Sequence, residues 1–118
     1  MTIGAPNILT GRILRDTIGL MRYELHSTKN FDKWFGKIKD KSSKRKILAR
    51  LSRVESGNFG DFKQVYTNLF ELRFFFGGGF RIYYTIRNNR IVLLLIGGNK
   101  SSQANDIQKA KIILDEME

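Results

Sequence analysis

The stretch LFELRFFFGGGFRIYYTIR, Leu69 to Arg87, decides how the chain is read. Two runs rich in aromatic and β-branched residues flank Gly77-Gly78-Gly79, the pattern of two strands joined by a tight turn. Side chains alternate along a strand, so Phe70, Leu72, Phe74 and Phe76 share one face while Leu69, Glu71, Arg73 and Phe75 share the other. Beyond the glycines, Phe80, Ile82, Tyr84 and Ile86 form an apolar set against Arg81, Tyr83, Thr85 and Arg87. A loop of just the three glycines pairs Phe76 with Phe80 and sets Phe75 opposite Arg81 and Arg73 opposite Tyr83. Arg73, Arg81 and Tyr83 then cluster on one sheet face. Like charges so close cost from tenths of a kcal/mol to about 1 kcal/mol. A phosphate would relieve that cost; arginines lying over aromatic rings on a solvated face are the alternative.

Working outward, FKQVY (Phe62–Tyr66) reads as a short strand before the hairpin, and Asn88-Asn89 as a second turn after it. IVLLLI (Ile91–Ile96) is apolar at every position and reads as a strand covered on both faces. It ends at Gly97-Gly98, followed by Asn99 and Lys100, so Lys100 is either an ordinary turn lysine or one presented to a phosphate. Upstream, Phe31, Trp34, Phe35 and Ile38 form one helical stripe with Thr28 as N-cap. Ser42 or Ser43 caps a second helix that buries Ile47, Leu48, Leu51 and Val54 and ends at Gly57. Lys44, Arg45, Lys46, Arg50 and Arg53 give this helical hairpin a basic outer face. Ile107, Ala110, Leu114 and Met117 mark a C-terminal helix starting near Ser101 or Ser102. The expected fold is α+β: a helical hairpin, an antiparallel meander sheet and a final helix. Residues 1–20 read as a tail, with a short helix around Arg12 to Leu20.

At 118 residues with one continuous apolar pattern, the chain reads as a single domain over 21–118. No segment approaches the roughly 20 apolar residues of a membrane span, and the N-terminal stretch has no secretory-signal pattern, so the expected location is the cytoplasm. With 21 Lys plus Arg against 11 Asp plus Glu, the formal charge is +10, a field that draws in polyanions. Nucleic acid is therefore the first partner to consider, and an acidic protein segment the second. There are no cysteines, which excludes disulfides and thiolate metal sites.

The catalytic inventory is narrow. His26 is the lone histidine, so a two-histidine ribonuclease mechanism is excluded, and no His/Asp/Glu cluster has metal-ligand spacing. The glycine runs match neither a P-loop nor a dinucleotide fingerprint, so no cofactor is expected. Arg, Lys and Tyr remain, a set suited to binding a phosphodiester and to stabilising the charge that builds on it. RNA carries its own nucleophile, the 2′-OH, so a site without metal needs only to align that hydroxyl and neutralise the phosphorane.

Taken together, FDKWFGKIKD, RLSRVESGNFGDFKQV, LFELRFFFGGGFRIYY and LLLIGGNKSSQANDIQKA resemble the RelE/ParE-superfamily toxins of type II toxin-antitoxin modules. More narrowly they resemble the HigB-like, phage-derived "addiction module killer" group. The resemblance runs from about Met21 to the C-terminus, and Met21 stands where relatives begin. It implies a RelE-like fold and a ribosome-dependent mRNA endonuclease acting on the ribosome and its mRNA. It also implies a cognate antitoxin, usually of helix-turn-helix type. Carried over by motif, Arg73 and Arg81 look like phosphate-contacting or transition-state-stabilising residues, Tyr83 like the base-stacking or proton-transfer residue, and Lys100 like a further cation. Arginines beside Tyr83 would lower its pKa from about 10. Lys44, Arg45, Lys46, Arg50, Arg53 and Lys63 would dock the ribosomal RNA. Asn99 stands where the group commonly has aspartate. Two other readings share the fold: a ParE-like gyrase inhibitor, and a non-catalytic module that binds nucleic acid or antitoxin.

Overall fold

The computed structural model describes residues 22–117; the expected N-terminal tail, its short helix and the Met21 start lie outside the described residues. In chain order the elements are β1 (Glu24–Ser27), α1 (Lys29–Gly36), α2 (Lys41–Glu55), β2 (Phe62–Tyr66), β3 (Leu69–Arg73), β4 (Arg81–Arg87), β5 (Ile91–Gly98), a 3-10 turn (Lys100–Ser102) and α3 (Gln103–Met117). The five strands make one sheet in the order β1-β5-β4-β3-β2.

A strand thus precedes the helical pair, and the sheet is mixed: β1 runs parallel to β5, with Glu24 opposite Ile91 and Ser27 opposite Leu94. This corrects the helix-first antiparallel meander expected from sequence. Its cause is that ELHS is too short and polar to show a strand period, while the unbroken apolar run of β5 makes a second neighbour worthwhile.

Each helix begins where a side chain can satisfy its free N–H groups. Thr28 Oγ1 accepts from Phe31 N while donating to Leu95 O, so the cap also ties α1 to β5. At α2 the cap is Asp40 rather than Ser42 or Ser43; it accepts from Ser42 N and from the Ser43 hydroxyl, and these bonds hold its carboxyl below its ordinary pKa. Gly57, at φ +92°, ends α2 in the left-handed region as the sequence implies.

The sheet separates two cores. Phe31, Ile47, Leu51 and Val54 pack with Leu72, Phe74, Ile82, Tyr84, Val92 and Leu94 on the α1/α2 side. Leu69, Tyr83, Leu93 and Leu95 meet Ala110 and Leu114 of α3 on the other. Each fully buried aliphatic side chain stabilises the fold by about 1.5–3 kcal/mol.

The central hairpin pairs two residues further from its tip than a three-glycine loop implies: Arg73 faces Arg81 and Glu71 faces Tyr83. Phe74 N still donates to Phe80 O, and the chain then turns through Gly77, Gly78 and Gly79, all at φ between +60° and +78°. Three consecutive left-handed residues curl more widely than a two-residue turn, and only glycine adopts them without strain. The register shift keeps Arg73, Arg81 and Tyr83 on one face and sets Glu71, of that same face, directly opposite Tyr83.

Candidate functional site

The charged end of the sheet is built from four segments. On the α3 side of the hairpin, Arg73 and Arg81 stand directly opposite each other, and Arg81 in turn pairs with Gly98 of β5. The repulsion between the two arginines is relieved from within the protein. Arg73 Nη2 and Nε lie 3.2 and 3.4 Å from Asp61 Oδ1, and Arg81 Nε lies 3.8 Å from Glu71 Oε2. Glu71 is completely buried and also accepts from Gln103 Nε2 at 3.0 Å, so a carboxylate and an amide together fix where Arg81 points.

Arg81 is itself only 11% exposed in its side chain; Nη1 donates to Gly79 O at 3.3 Å, and Nε is buried without a full hydrogen bond. Such a guanidinium is confined by burial and retains donor capacity, the condition that favours a charged acceptor. Lys100 joins it at the hairpin corner. Its backbone N donates to Gly78 O, and its Cβ lies 3.2 Å from where a Gly79 Cβ would stand, with Arg81 Nη1 at 3.5 Å. Gly79 is thus the small residue around which Arg81 and Lys100 meet, and the Lys100 side chain is exposed.

Tyr83 behaves otherwise than the sequence suggested. It is 0% exposed, and burial first, then the Glu71 and Asp106 carboxylates, push its pKa well above the ordinary phenol value. Arg81 pulls the other way with less effect, so the expected arginine-driven lowering is reversed. Its hydroxyl has no well-formed hydrogen bond. Tyr83 therefore sits beneath the arginine pair as packing.

The six expected docking residues divide. Arg45, Lys46 and Arg53 are exposed on α2, and Lys63 is exposed on β2 across the ladder from Glu71. Lys44 is half-buried with Nζ over the Phe35 ring. Arg50 is a correction: it points inward and is 9% exposed. Its Nε donates to Phe59 O at 2.8 Å, Nη1 to Arg73 O at 2.9 Å and Nη2 to Asp61 O at 2.8 Å, while the guanidinium lies over Phe74. Burial pushes its pKa down, and three of its five N–H groups are spent on backbone carbonyls. The GNFGD loop is shaped around it, since a Cβ on Gly60 would stand 2.8 Å from Arg50 Nε.

Gly97 and Gly98 are explained by packing. A Cβ on Gly97 would collide with the Trp34 ring, and one on Gly98 with the Asp106 carboxylate. Asn99 is the N-cap of the following turn, accepting from Ser101 N and Ser102 N. Glu71, Asp61, Gln103 and Asp106 were missed as site residues. Their signal was present, for all four lie inside the motif strings that carried the family resemblance, and Glu71 is an acid at an inward strand position.

Among the described residues, no three His, Asp or Glu side chains come together as a metal cluster, and no helix is long and apolar enough to cross a membrane. Residues 33–118 match the family model described as phage-derived protein Gp49-like. An uncharacterized protein of Haemophilus influenzae is 43% identical over 97 residues, covering 82% of this chain and 98% of that protein. With the match spanning every residue of the charged sheet end, the chain belongs to the phage-derived Gp49-like family, a family of toxin-antitoxin toxins.

Proposed function

We propose that the protein is the toxin of a type II toxin-antitoxin module of the HigB-like kind, acting as a ribosome-dependent mRNA endonuclease that needs no metal. The observation that carries this reading is the hairpin corner, where the largely buried Arg81 guanidinium lies beside Gly79 with the exposed Lys100 next to it, and Arg73 stands opposite Arg81 on the ladder. A phosphodiester held there would meet two cations at the non-bridging oxygens and a third near the leaving oxygen.

The reaction would run in line. The 2′-OH of RNA attacks the adjacent phosphorus, its proton passes to solvent, the bond to the 5′ oxygen breaks, and that oxygen takes a proton as it leaves. A 2′,3′-cyclic phosphate and a 5′-hydroxyl result. The protein's part is alignment and charge stabilisation. Glu71 and Gln103 act as positioning residues around Arg81, and no proton-transfer step is given to Tyr83, whose side chain is fully buried. The exposed Arg45, Lys46 and Arg53 supply contacts to ribosomal RNA phosphates, which position without reading sequence. A helix-turn-helix antitoxin is the expected neutralising partner.

Induced expression followed by mapping of transcript ends tests this. Cuts should appear in translated mRNA, and Arg81→Ala should reduce them by about a hundredfold to a thousandfold, the scale for losing one transition-state donor. Intact transcripts together with poisoned gyrase would replace this reading with the ParE-like one.

A further inference from the structure

The hairpin tip carries a feature the cleavage site does not use. Phe74 is 4% exposed and packs in the core, Phe76 is half-buried, and Phe75 between them is 89% exposed. A phenyl ring held this far from the core adds almost nothing to folding, and a polar residue would serve the turn as well. Phe75 is not isolated on its surface. It lines a groove of about 340 Å³ with Lys46, Ala49, Arg50, Arg53, Phe74 and Phe76, along the edge where the tip meets α2. Lys46 Nζ lies 4.9 Å from the centre of the Phe76 ring, and Lys46 and Arg53 are both exposed. An unshielded aromatic face beside two solvent-facing cations is the arrangement that binds single-stranded nucleic acid: the ring stacks a base, and the cations hold the flanking phosphates.

We propose that Phe75, Lys46 and Arg53 form a stacking site for one unpaired RNA base and its adjoining phosphates. The proposal rests on the reading above for RNA as the ligand, and on nothing in it about cleavage. Charge selects this occupant over a second copy of the chain, because each copy carries a formal +10 and two basic rims would face each other. Stacking selects unpaired over paired RNA. In a duplex the base faces are already covered, and the A-form grooves offer a projecting ring little to stack on.

The test is equilibrium binding of a labelled single-stranded adenosine oligomer, and of the same strand in duplex, to the full chain. Phe75→Ala should weaken single-strand binding by about 5- to 150-fold, the range for one base-aromatic stack, with thermal unfolding unchanged. Phe75→Trp should restore it and show quenched emission on binding; the sequence has one other tryptophan, Trp34, which is half-buried in the α1 packing. Phe75→Leu, which keeps the hydrocarbon and loses the ring, should bind like the alanine variant. Lys46→Ala and Arg53→Ala should each lower the slope of log K against log salt by about 0.7. The proposal is overturned if Phe75→Leu binds like wild type, or if duplex binding shows the same Phe75 dependence. It is equally overturned if Phe75→Ala loses binding to anionic phospholipid vesicles but not to the oligomer. Transcript cutting in cells bears on the cleavage reading alone, so either reading can fail while the other stands.

Discussion

Arg50 offers the sharpest separation between what the helix pattern suggests and what the side chain does. By sequence it belongs to a basic stripe; in the fold it closes three backbone carbonyls, two of which belong to Asp61 and Arg73, the ion pair at the site's edge. In Arg50→Met the apolar stem is kept and the fork is lost. The carbonyls of Phe59, Asp61 and Arg73 then lose a charged donor, and each bond to a charged group is worth about 1.5–3 kcal/mol. Water entering the vacated space would recover part of this, because the GNFGD loop is largely exposed, so we expect a loss of about 3–5 kcal/mol. For a domain of this size each kcal/mol moves the midpoint by about 4–8 °C, so the variant should melt at least about 12 °C lower. Urea unfolding followed by Trp34 emission, with far-UV dichroism as a second probe, measures it. Where Arg50→Met remains folded, the salt slope of RNA binding should equal that of wild type. A stability loss under about 1 kcal/mol together with a flattened salt slope would refute the reasoning and return Arg50 to the RNA-binding face.

Three further outcomes follow from the same geometry. Tyr83→Phe should leave stability within about 1 kcal/mol of wild type or raise it, since the deleted hydroxyl is buried without a formed hydrogen bond, and should leave transcript cutting intact; abolished cutting would restore Tyr83 to the chemistry. Gly98→Ala forces Asp106 off its seat beneath β5 and should destabilise by about 1–3 kcal/mol in denaturant titration, whereas an unchanged midpoint would show that the carboxylate moves freely. Tyr83 and Tyr84 both have folded pKa values raised mainly by burial, so they stay protonated where the unfolded phenols ionise. The stability this contributes is full below the unfolded value near 10 and falls as pH rises above it, and phenolate absorbance should appear from these two only as the chain unfolds in alkali.

The parts of the fold legible in sequence were those where one segment settles its own structure. The β3-β4 hairpin, the Asn-Asn turn with φ of +54° and +56°, the fully apolar β5, the Thr28 cap and the Ile107, Ala110 and Leu114 part of the α3 stripe all follow from local pattern, while Met117 of that stripe is exposed. What was not legible depended on a partner far along the chain. β1 exists because β5 has a free edge, and nothing in ELHS announces it. The hairpin register rests on how three left-handed glycines curl, and the inward turn of Arg50 on carbonyls nine to twenty-three residues away. For the candidate site, strand alternation was enough to put Arg73 and Arg81 on one face, where the ladder pairs them. Tyr83 misled because a tyrosine between arginines looks polar on a strand diagram, while the third layer, α3, that covers it is invisible there.

The two carboxylates beside the arginines carry the remaining step. Arg73 and Arg81 face each other across a ladder, an arrangement that unaided would splay both side chains into solvent. Asp61 draws Arg73 toward the β2 edge, and it leaves a pair with each member over 30% exposed, so an arriving phosphate can compete for it. Glu71 faces Arg81 from a fully buried position, where Gln103 Nε2 donates to its carboxylate. The two cations therefore differ in kind: Arg81 is largely buried beside a buried carboxylate, whereas Arg73 is paired through a carboxylate that is itself partly exposed. On the cleavage reading proposed above, a donor confined in this way meets much of its ordering cost at folding rather than in the transition state, the condition under which a guanidinium stabilises developing charge most.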